Sequence, residues 1–342
     1  MLVKGFVCAA RSCAMDKLIG RGPGHLNQAM SFRVYAALAL LSLLLVPSLG
    51  GIDVIISPQL EVLRLNQGRT ALFLPQETAD SLLIFLHPAL GSASQSMRFS
   101  GFAEAANREG VSIAFAESLG GFWRYFGANG ADDRADEAYI LDLREALVAR
   151  GFGSRGVFVV GFSNGALLAV QVACRHPDLF QGVGLISGGM PAAVGDDCRT
   201  LPNRVVIVSG ADDPFFPAAG GVGPYPMLGS FWALDHLRSF LLSDRQCARF
   251  DQTRLNATRS VSARSVIIER AAHCEREGVT QFYRVESGGH EPYYEDAWRR
   301  LWGSEGLFLA PELIVKAFVT ATNLPVEQKS SNLESGGFAS NR

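Results

Sequence analysis

The residues best placed to do chemistry form the run Gly161-Phe162-Ser163-Asn164-Gly165. An apolar, mostly β-branched stretch precedes this run, and a helical pattern follows it directly. A serine in a sharp strand-to-helix turn presents its hydroxyl above the edge of a sheet, and the flanking glycines leave room for the turn. We therefore predict that Ser163 is a nucleophile rather than a serine in an ordinary turn. The backbone N–H of Asn164, at the helix start, is the first predicted oxyanion donor.

A serine hydroxyl is a poor nucleophile unless a base takes its proton and a carboxylate orients that base. Where a serine occupies such a turn, the order along the chain is serine, acid, histidine. His290 follows two glycines after the last predicted strand, and it is the predicted base. The acid follows an earlier predicted strand and is either Asp212 or Asp213. We favour Asp213, in which case Asp212 caps the turn or faces water.

The second oxyanion donor is expected in the loop after the third predicted strand, which begins His87-Pro88-Ala89. Pro88 has no N–H and cannot donate. We therefore predict the backbone N–H of Ala89 as the donor, within a tight loop that Pro88 shapes.

These side chains need a sheet that ends beside them, and alternating strand and helix patterns predict one. Strands are predicted at residues 59–65, 70–75, 81–86, 111–116, 156–161, 183–187, 205–209 and 280–285. Helices are predicted at residues 99–108, 135–150, 166–175, 231–242 and 312–322. The first two strands form an antiparallel pair, and the rest predict an α/β fold with a mostly parallel, doubly wound sheet and helices on both faces. Together with the serine turn, this pattern predicts the α/β-hydrolase fold.

The composition narrows the class of partner. The chain has 342 residues, of which 48% are hydrophobic, and its net charge is −2. A chain of this kind can bury a large core, and its charge gives no reason to expect a nucleic acid. We expect an ester substrate, small or polymeric, and no metal or organic cofactor.

The first 50 residues have the pattern of an export signal. Arg33 precedes an apolar run over residues 34–46, and Pro47-Ser48-Leu49-Gly50 suits a cleavage site after Gly50. The apolar run is short for a transmembrane helix, so we favour a cleaved signal with a long n-region over an uncleaved anchor. The predicted location is secreted or periplasmic, with no stable membrane anchor after processing.

The remaining chain divides into a catalytic domain over residues 51–326 and a disordered tail over residues 327–342, which is rich in Ser, Asn and Gly. Met1, Met15 and Met30 all stay open as the start of translation.

Four cysteines follow the export signal, and an even number in an exported chain favours disulfides over metal sites. Four cysteines allow three pairings. We favour Cys174–Cys198 and Cys247–Cys274, because each pair closes a short segment within one region. The alternative is four reduced, buried thiols. A glycosylation sequon lies between the second pair, at Asn256.

Four motifs together resemble one enzyme group. They are His87-Pro88-Ala89-Leu90-Gly91, Gly161-Phe162-Ser163-Asn164-Gly165, Asp212-Asp213-Pro214-Phe215-Phe216-Pro217 and Gly288-Gly289-His290. The pattern resembles the secreted polyhydroxybutyrate depolymerases and feruloyl esterases, close to carbohydrate esterase family 1. The resemblance spans about residues 82–294.

The resemblance implies a serine esterase with Ser163, Asp213 and His290 as its triad. Many members have a tryptophan after the fourth strand, and Trp123 is the matching residue. Its ring is expected either to stack on a sugar or phenolic ring of the substrate or to lie in the core. Feruloyl, acetyl-xylan and polyhydroxyalkanoate esters all stay open as substrates. The competing hypotheses are a serine peptidase on the same fold and a catalytically silent binding protein.

Overall fold

The computed structural model describes residues 60–77, 79–127, 134–255, 265–294 and 309–320. Within these residues, ten strands form one sheet and two short strands form a second. The strands are β1 (Glu61–Arg64), β2 (Thr70–Leu74), β3 (Ser81–Leu86), β4 (Val111–Ala116), β5 (Gly156–Phe162), β6 (Gly182–Ile186), β7 (Arg204–Gly210), β8 (Gly221–Val222), β9 (Ser230–Phe231), β10 (Cys247–Leu255), β11 (Val266–Cys274) and β12 (Val279–Val285). The small sheet consists of β8 and β9.

The centre of the large sheet is parallel. Its neighbouring strands run in the order β4-β3-β5-β6-β7-β12, all in one direction. β2 and β1 extend one end with antiparallel pairing, and β11 and β10 extend the other end in the same way. Parallel strands covered on both faces need apolar side chains throughout, and β4, β5 and β6 are buried along their whole length.

Helices cover both faces of the sheet, as predicted. They are α1 (Ala93–Phe99), α2 (Phe102–Arg108), α3 (Ala135–Val148), α4 (Asn164–Arg175), α5 (Ala192–Gly195), α6 (Leu234–Arg245) and α7 (Ala310–Val319). Side chains of α3, α4 and α6 contribute to one apolar core. Side chains of α1, α2 and α7 contribute to the core on the opposite face. The structure therefore has the α/β-hydrolase architecture of a mixed, mostly parallel sheet between two helical layers.

Two helix predictions differ from the structure. The segment predicted as one helix over residues 99–108 contains the end of α1 and all of α2. Gly101 separates them with a φ of +72°, a left-handed conformation that interrupts the helical backbone. The helix predicted to begin at residue 231 begins at Leu234, because Ser230 and Phe231 form β9.

The hairpin of β10 and β11 was not predicted. β10 is the last strand of the sheet and is mostly exposed, so it carries polar side chains such as Arg249 and Asp251, which form an ion pair. Such a strand lacks the apolar pattern on which strand prediction relies. Charged side chains at a sheet edge also discourage pairing with another chain.

Both predicted disulfides are present. Cys174, in the last turn of α4, is bonded to Cys198, with 5.5 Å between their Cα atoms. Cys247 and Cys274 face each other across β10 and β11 and are bonded, with 3.9 Å between Cα atoms. The second disulfide therefore closes the base of the hairpin.

Several predictions lie outside the described residues. They concern the export signal over residues 1–50, the tail over residues 327–342 and the sequon at Asn256. Of the helices that the structure describes, none is both long and apolar enough to span a bilayer.

Candidate active site

Ser163 occupies a strained turn between β5 and α4. Its φ is 54° and its ψ is −120°, a backbone conformation that residues other than glycine rarely adopt. The turn is possible because the residues two positions before and two positions after Ser163 are glycines. A Cβ on Gly161 would lie 2.2 Å from the carbonyl carbon of Gly165, and a Cβ on Gly165 would lie 2.3 Å from the carbonyl oxygen of Leu86. These close backbone contacts hold the serine hydroxyl above the sheet edge.

Ser163, His290 and Asp213 form a continuous hydrogen-bonded chain. The distance from Ser163 Oγ to His290 Nε2 is 2.9 Å, and His290 Nδ1 lies 2.9 Å from Asp213 Oδ2. The three residues follow β5, β12 and β7 respectively, so parallel strands bring them to one edge of the sheet. Asp213 is buried, whereas Ser163 and His290 remain partly exposed. This is the arrangement in which a serine can be deprotonated by an oriented imidazole.

The surrounding loop fixes the carboxylate of Asp213. Its Oδ1 accepts hydrogen bonds from the backbone N–H groups of Phe215, at 2.8 Å, and Phe216, at 3.2 Å. These bonds leave Oδ2 facing the histidine. Asp212 is exposed, and its backbone N–H donates to the carbonyl of Gly288. The structure thus brings Asp213, not Asp212, to the imidazole.

Two hydroxyl groups hold the loop that delivers His290. Ser187, directly after β6, donates to the carbonyl of Glu291 at 2.6 Å. Tyr293 donates to the carbonyl of Gly289 at 3.0 Å. Sequence reasoning missed both residues. The one available signal was the position of Ser187 at the end of a buried strand next to β5.

Aromatic rings surround the imidazole of His290. The centroids of Phe215, Phe162 and Phe216 lie 4.5, 5.5 and 5.6 Å from that of the imidazole. Phe215 in turn stacks on Tyr225, with 5.1 Å between ring centroids. Tyr225 belongs to the segment between β8 and β9, which the sequence did not connect to the site. The rings cover much of the imidazole, whose side chain is 18% exposed.

The two predicted oxyanion donors lie on adjoining segments. Asn164 is the first residue of α4, where backbone N–H groups are free of helical partners. Ala89 lies in the turn after β3, which Gly91 closes by donating its N–H to the carbonyl of Pro88 at 3.0 Å. β3 pairs with β5, and the tight contact between Leu86 and Gly165 brings this turn against the serine turn.

Trp123 is buried, with 2% of its surface exposed. Its indole packs between the rings of His87 and Tyr139. The structure therefore places this residue in the core, which was one of its two predicted positions. The side chain of Asn164 forms hydrogen bonds with both the N–H and the carbonyl of Trp123. This contact between the serine turn and the segment after β4 was not foreseen.

His87 is fully buried below the turn that contains Ala89. Its Nε2 accepts a hydrogen bond from the N–H of Ser118 at 3.2 Å, and its Nδ1 donates to the carbonyl of Pro88 at 2.7 Å. Burial lowers the pKa of His87 below its ordinary value, although the hydrogen bond to the carbonyl of Pro88 and the nearby Glu117 partly oppose the shift. The neutral ring is thus the form that satisfies both hydrogen bonds. Among the described residues, no cluster of histidine, cysteine and carboxylate side chains could hold a metal ion.

A strained serine turn and an Asp–His–Ser chain at the carboxyl ends of parallel strands form the arrangement that is typical of serine hydrolases with an α/β-hydrolase fold. Comparison with known protein families agrees with this class of enzyme. Residues 69–243 match the family described as Esterase PHB depolymerase, where PHB is polyhydroxybutyrate. This match covers half of the chain, and the protein belongs to that family.

Three individual proteins are similar to this chain. NocK of Nocardia uniformis subsp. tsuyamanensis, whose name describes it as an esterase, is 30% identical over 173 residues, 49% of either chain. Acetylxylan esterase of Coprinopsis cinerea is 29% identical over 136 residues, 35% of this chain and 36% of that enzyme. The chain thus matches half or less of these relatives' length. The structure of acetyl xylan esterase from Aspergillus awamori superposes with a TM-score of 0.47 at 16% identity, over 72% of this chain and 99% of that one.

Proposed function

We propose that this protein is an exported serine esterase that hydrolyses carboxylic esters through a covalent acyl-enzyme. The hydrogen-bonded chain from Ser163 through His290 to Asp213 supports this proposal most directly. Membership of an esterase family supports carboxylic esters as the substrates.

In the first half-reaction, Ser163 Oγ attacks the ester carbonyl carbon while its proton passes to His290 Nε2. The carbonyl oxygen becomes an oxyanion, and the N–H groups of Asn164 and Ala89 donate to it. One such donor typically contributes about 3 kcal/mol to lowering the barrier. Asp213 stabilises the imidazolium. When the carbon–oxygen bond to the alcohol breaks, His290 returns the proton to the departing alcohol.

In the second half-reaction, water replaces the alcohol. His290 Nε2 takes a proton from the water as its oxygen attacks the acyl carbon. The bond between that carbon and Ser163 Oγ then breaks, and the proton returns to Ser163. A free carboxylic acid is released, and no metal or organic cofactor is needed.

The surface around the site favours an apolar ester among the candidate substrates. Leu90 is 78% exposed and directly follows the proposed donor Ala89, and the exposed Tyr225 stacks on Phe215 beside His290. Between residues 218 and 231, only Tyr225 and Ser230 have side chains that can form hydrogen bonds. A sugar ring requires several such groups, whereas a polyester chain does not. We therefore place polyhydroxyalkanoate-type esters before acetyl-xylan and feruloyl-polysaccharide esters.

Ser163→Ala tests the activity. The purified variant should lose at least about 10⁴-fold in kcat on p-nitrophenyl acetate, because it has no nucleophile. Ser154→Ala is the matched control, since that exposed serine lies at the opposite end of β5 and should retain full activity. Turnover above a few per cent in Ser163→Ala would point to another nucleophile, and an inactive wild-type protein would favour a silent binding protein.

A panel of esters tests the substrate class. Short hydroxyalkanoate oligomers should give a higher kcat/KM than acetylated xylan oligomers or methyl ferulate. A preference for either of the other two would overturn the ranking without affecting the proposed reaction.

Export is supported by the signal pattern at residues 1–50 and by two disulfides, which persist in oxidising compartments. Mass spectrometry of the mature protein should find an N-terminus at Gly51.

A further inference from the structure

We propose that the side chain of Asn164 and the indole of Trp123 are positioning groups that fix the two oxyanion donors relative to each other. This inference rests on the proposed esterase function. The sequence predicted a role only for the backbone N–H of Asn164, and the inference adds a role for its side chain.

The first link connects the serine turn to the segment after β4. Asn164 Oδ1 accepts from the backbone N–H of Trp123 at 2.7 Å, and Asn164 Nδ2 donates to the carbonyl of Trp123 at 3.0 Å. Both bonds are buried, and together they connect the oxygen and the NH₂ group of the Asn164 amide to the backbone of Trp123. Paired bonds of this kind fix orientation as well as distance.

The second link connects Trp123 to the other donor segment. Trp123 Nε1 donates to the carbonyl of His87 at 2.8 Å, two residues before Ala89. Close by, the N–H of Leu90, directly after Ala89, donates to the carbonyl of Gly121 at 2.8 Å. The segment containing Gly121 and Trp123 therefore holds the turn around Ala89 from both sides.

The links form a closed path from one donor to the other. An oxyanion hole works when its donors lie about 2.7–3.1 Å from the position of the developing oxyanion. Here the donors belong to separate segments, so a small shift of either one lengthens a bond in the transition state. Trp123 is almost completely buried, so its contribution acts through these contacts and not through the ester.

Trp123→Phe tests the inference with little change in packing. Phenylalanine keeps an aromatic ring between His87 and Tyr139 but removes the Nε1 donor. Trp232→Phe is the matched control, because it also removes one indole hydrogen bond, from Trp232 Nε1 to Asp196 at the surface.

For Trp123→Phe, kcat on p-nitrophenyl acetate should fall about 10- to 100-fold, the range expected for small misplacement of a catalytic group, while KM stays within about twofold. Phenylboronic acid forms a tetrahedral adduct with the serine that places an oxygen in the hole. Its inhibition constant should rise by a factor similar to the loss of kcat. The control should change neither quantity.

Asn164→Ala provides a second variant, since it removes the amide but keeps the backbone N–H. It should give the same lowered kcat, unchanged KM and weakened boronate binding. Unaltered kcat in both variants would overturn the inference. So would a lowered kcat with unchanged boronate affinity, because that result would place the defect outside the oxyanion hole. An inactive wild-type protein would instead refute the esterase function.

Discussion

Asp213→Asn should nearly abolish ester hydrolysis while preserving the shape of the site. In the native protein, Oδ1 accepts hydrogen bonds from Phe215 and Phe216, and Oδ2 faces His290 Nδ1. Only the carbonyl oxygen of an asparagine can accept the two backbone bonds. The amide NH₂ of the variant must therefore occupy the position of Oδ2, opposite the imidazole.

The expected loss follows from the tautomer of His290. An NH₂ group opposite Nδ1 favours the imidazole whose proton is on Nε2, and that nitrogen can no longer accept the proton of Ser163. The same substitution in a serine-protease triad lowers kcat about 10⁴-fold. A loss of that size corresponds to about 5.5 kcal/mol in activation free energy. We expect the same order here, with KM changed by less than about threefold.

Stopped-flow measurement of p-nitrophenol release should show a burst in the wild-type protein and none in Asp213→Asn. Asp212→Asn is the matched control, since Asp212 is exposed and its backbone N–H, which the substitution keeps, donates to Gly288. The control should retain at least half of the activity. Equal losses in the two variants, or a larger loss in the control, would refute the assignment of the acid.

Three further predictions concern stability and substrate binding. Replacing Cys247 and Cys274 with serine should lower the free energy of unfolding in urea by about 3 kcal/mol, because the disulfide closes a segment of 27 residues. Tyr225→Ala should raise KM for hydroxyalkanoate oligomers at least threefold, because the tyrosine ring is expected to contact the alcohol part of the ester near His290. The rate of deacylation after p-nitrophenyl acetate should stay unchanged, because the alcohol leaves the site before deacylation begins. The contribution of His87 to stability should be full above pH 6.5 and should be lost as the pH falls below it, because burial lowers the pKa of His87 and the unfolded chain then binds the additional proton. His87→Gln should give a flatter dependence of unfolding free energy on pH.

Each of these three predictions has an experimental outcome that would contradict it. An unchanged urea midpoint after removal of the disulfide would mean that the hairpin is held by its strands alone. A slower deacylation in Tyr225→Ala would place this residue on the acyl side. Equal pH slopes for wild type and His87→Gln would assign the acid sensitivity to other groups.

The parts of the fold that depend on local pattern could be predicted from the sequence. β3 and β4 match their predicted bounds, because a strand buried on both faces is apolar along most of its length. Ser163 could be predicted as the nucleophile because the turn requires glycine at fixed positions on either side. The order of serine, acid and histidine then pointed to loops that the structure brings together.

Other features depend on contacts between distant segments. Tyr225 stacks on Phe215, and Asn164 is hydrogen-bonded to Trp123, but no pattern in the local sequence predicts either contact. β10 was missed because an edge strand needs few apolar residues. The choice between Asp212 and Asp213 depends on which carboxylate the turn directs inward, and backbone bonds from Phe215 and Phe216 decide that direction.

The position of β12 has a consequence for the time at which the protein becomes active. His290 reaches Ser163 across 127 positions of sequence, and it does so only when β12 has paired with β7 and β11. During synthesis, the serine turn and the acid loop emerge well before the base. A chain that ends before residue 290 therefore lacks the proposed base. For the proposed enzyme, recovery of activity after dilution from denaturant should therefore require that β12 has paired with its neighbours.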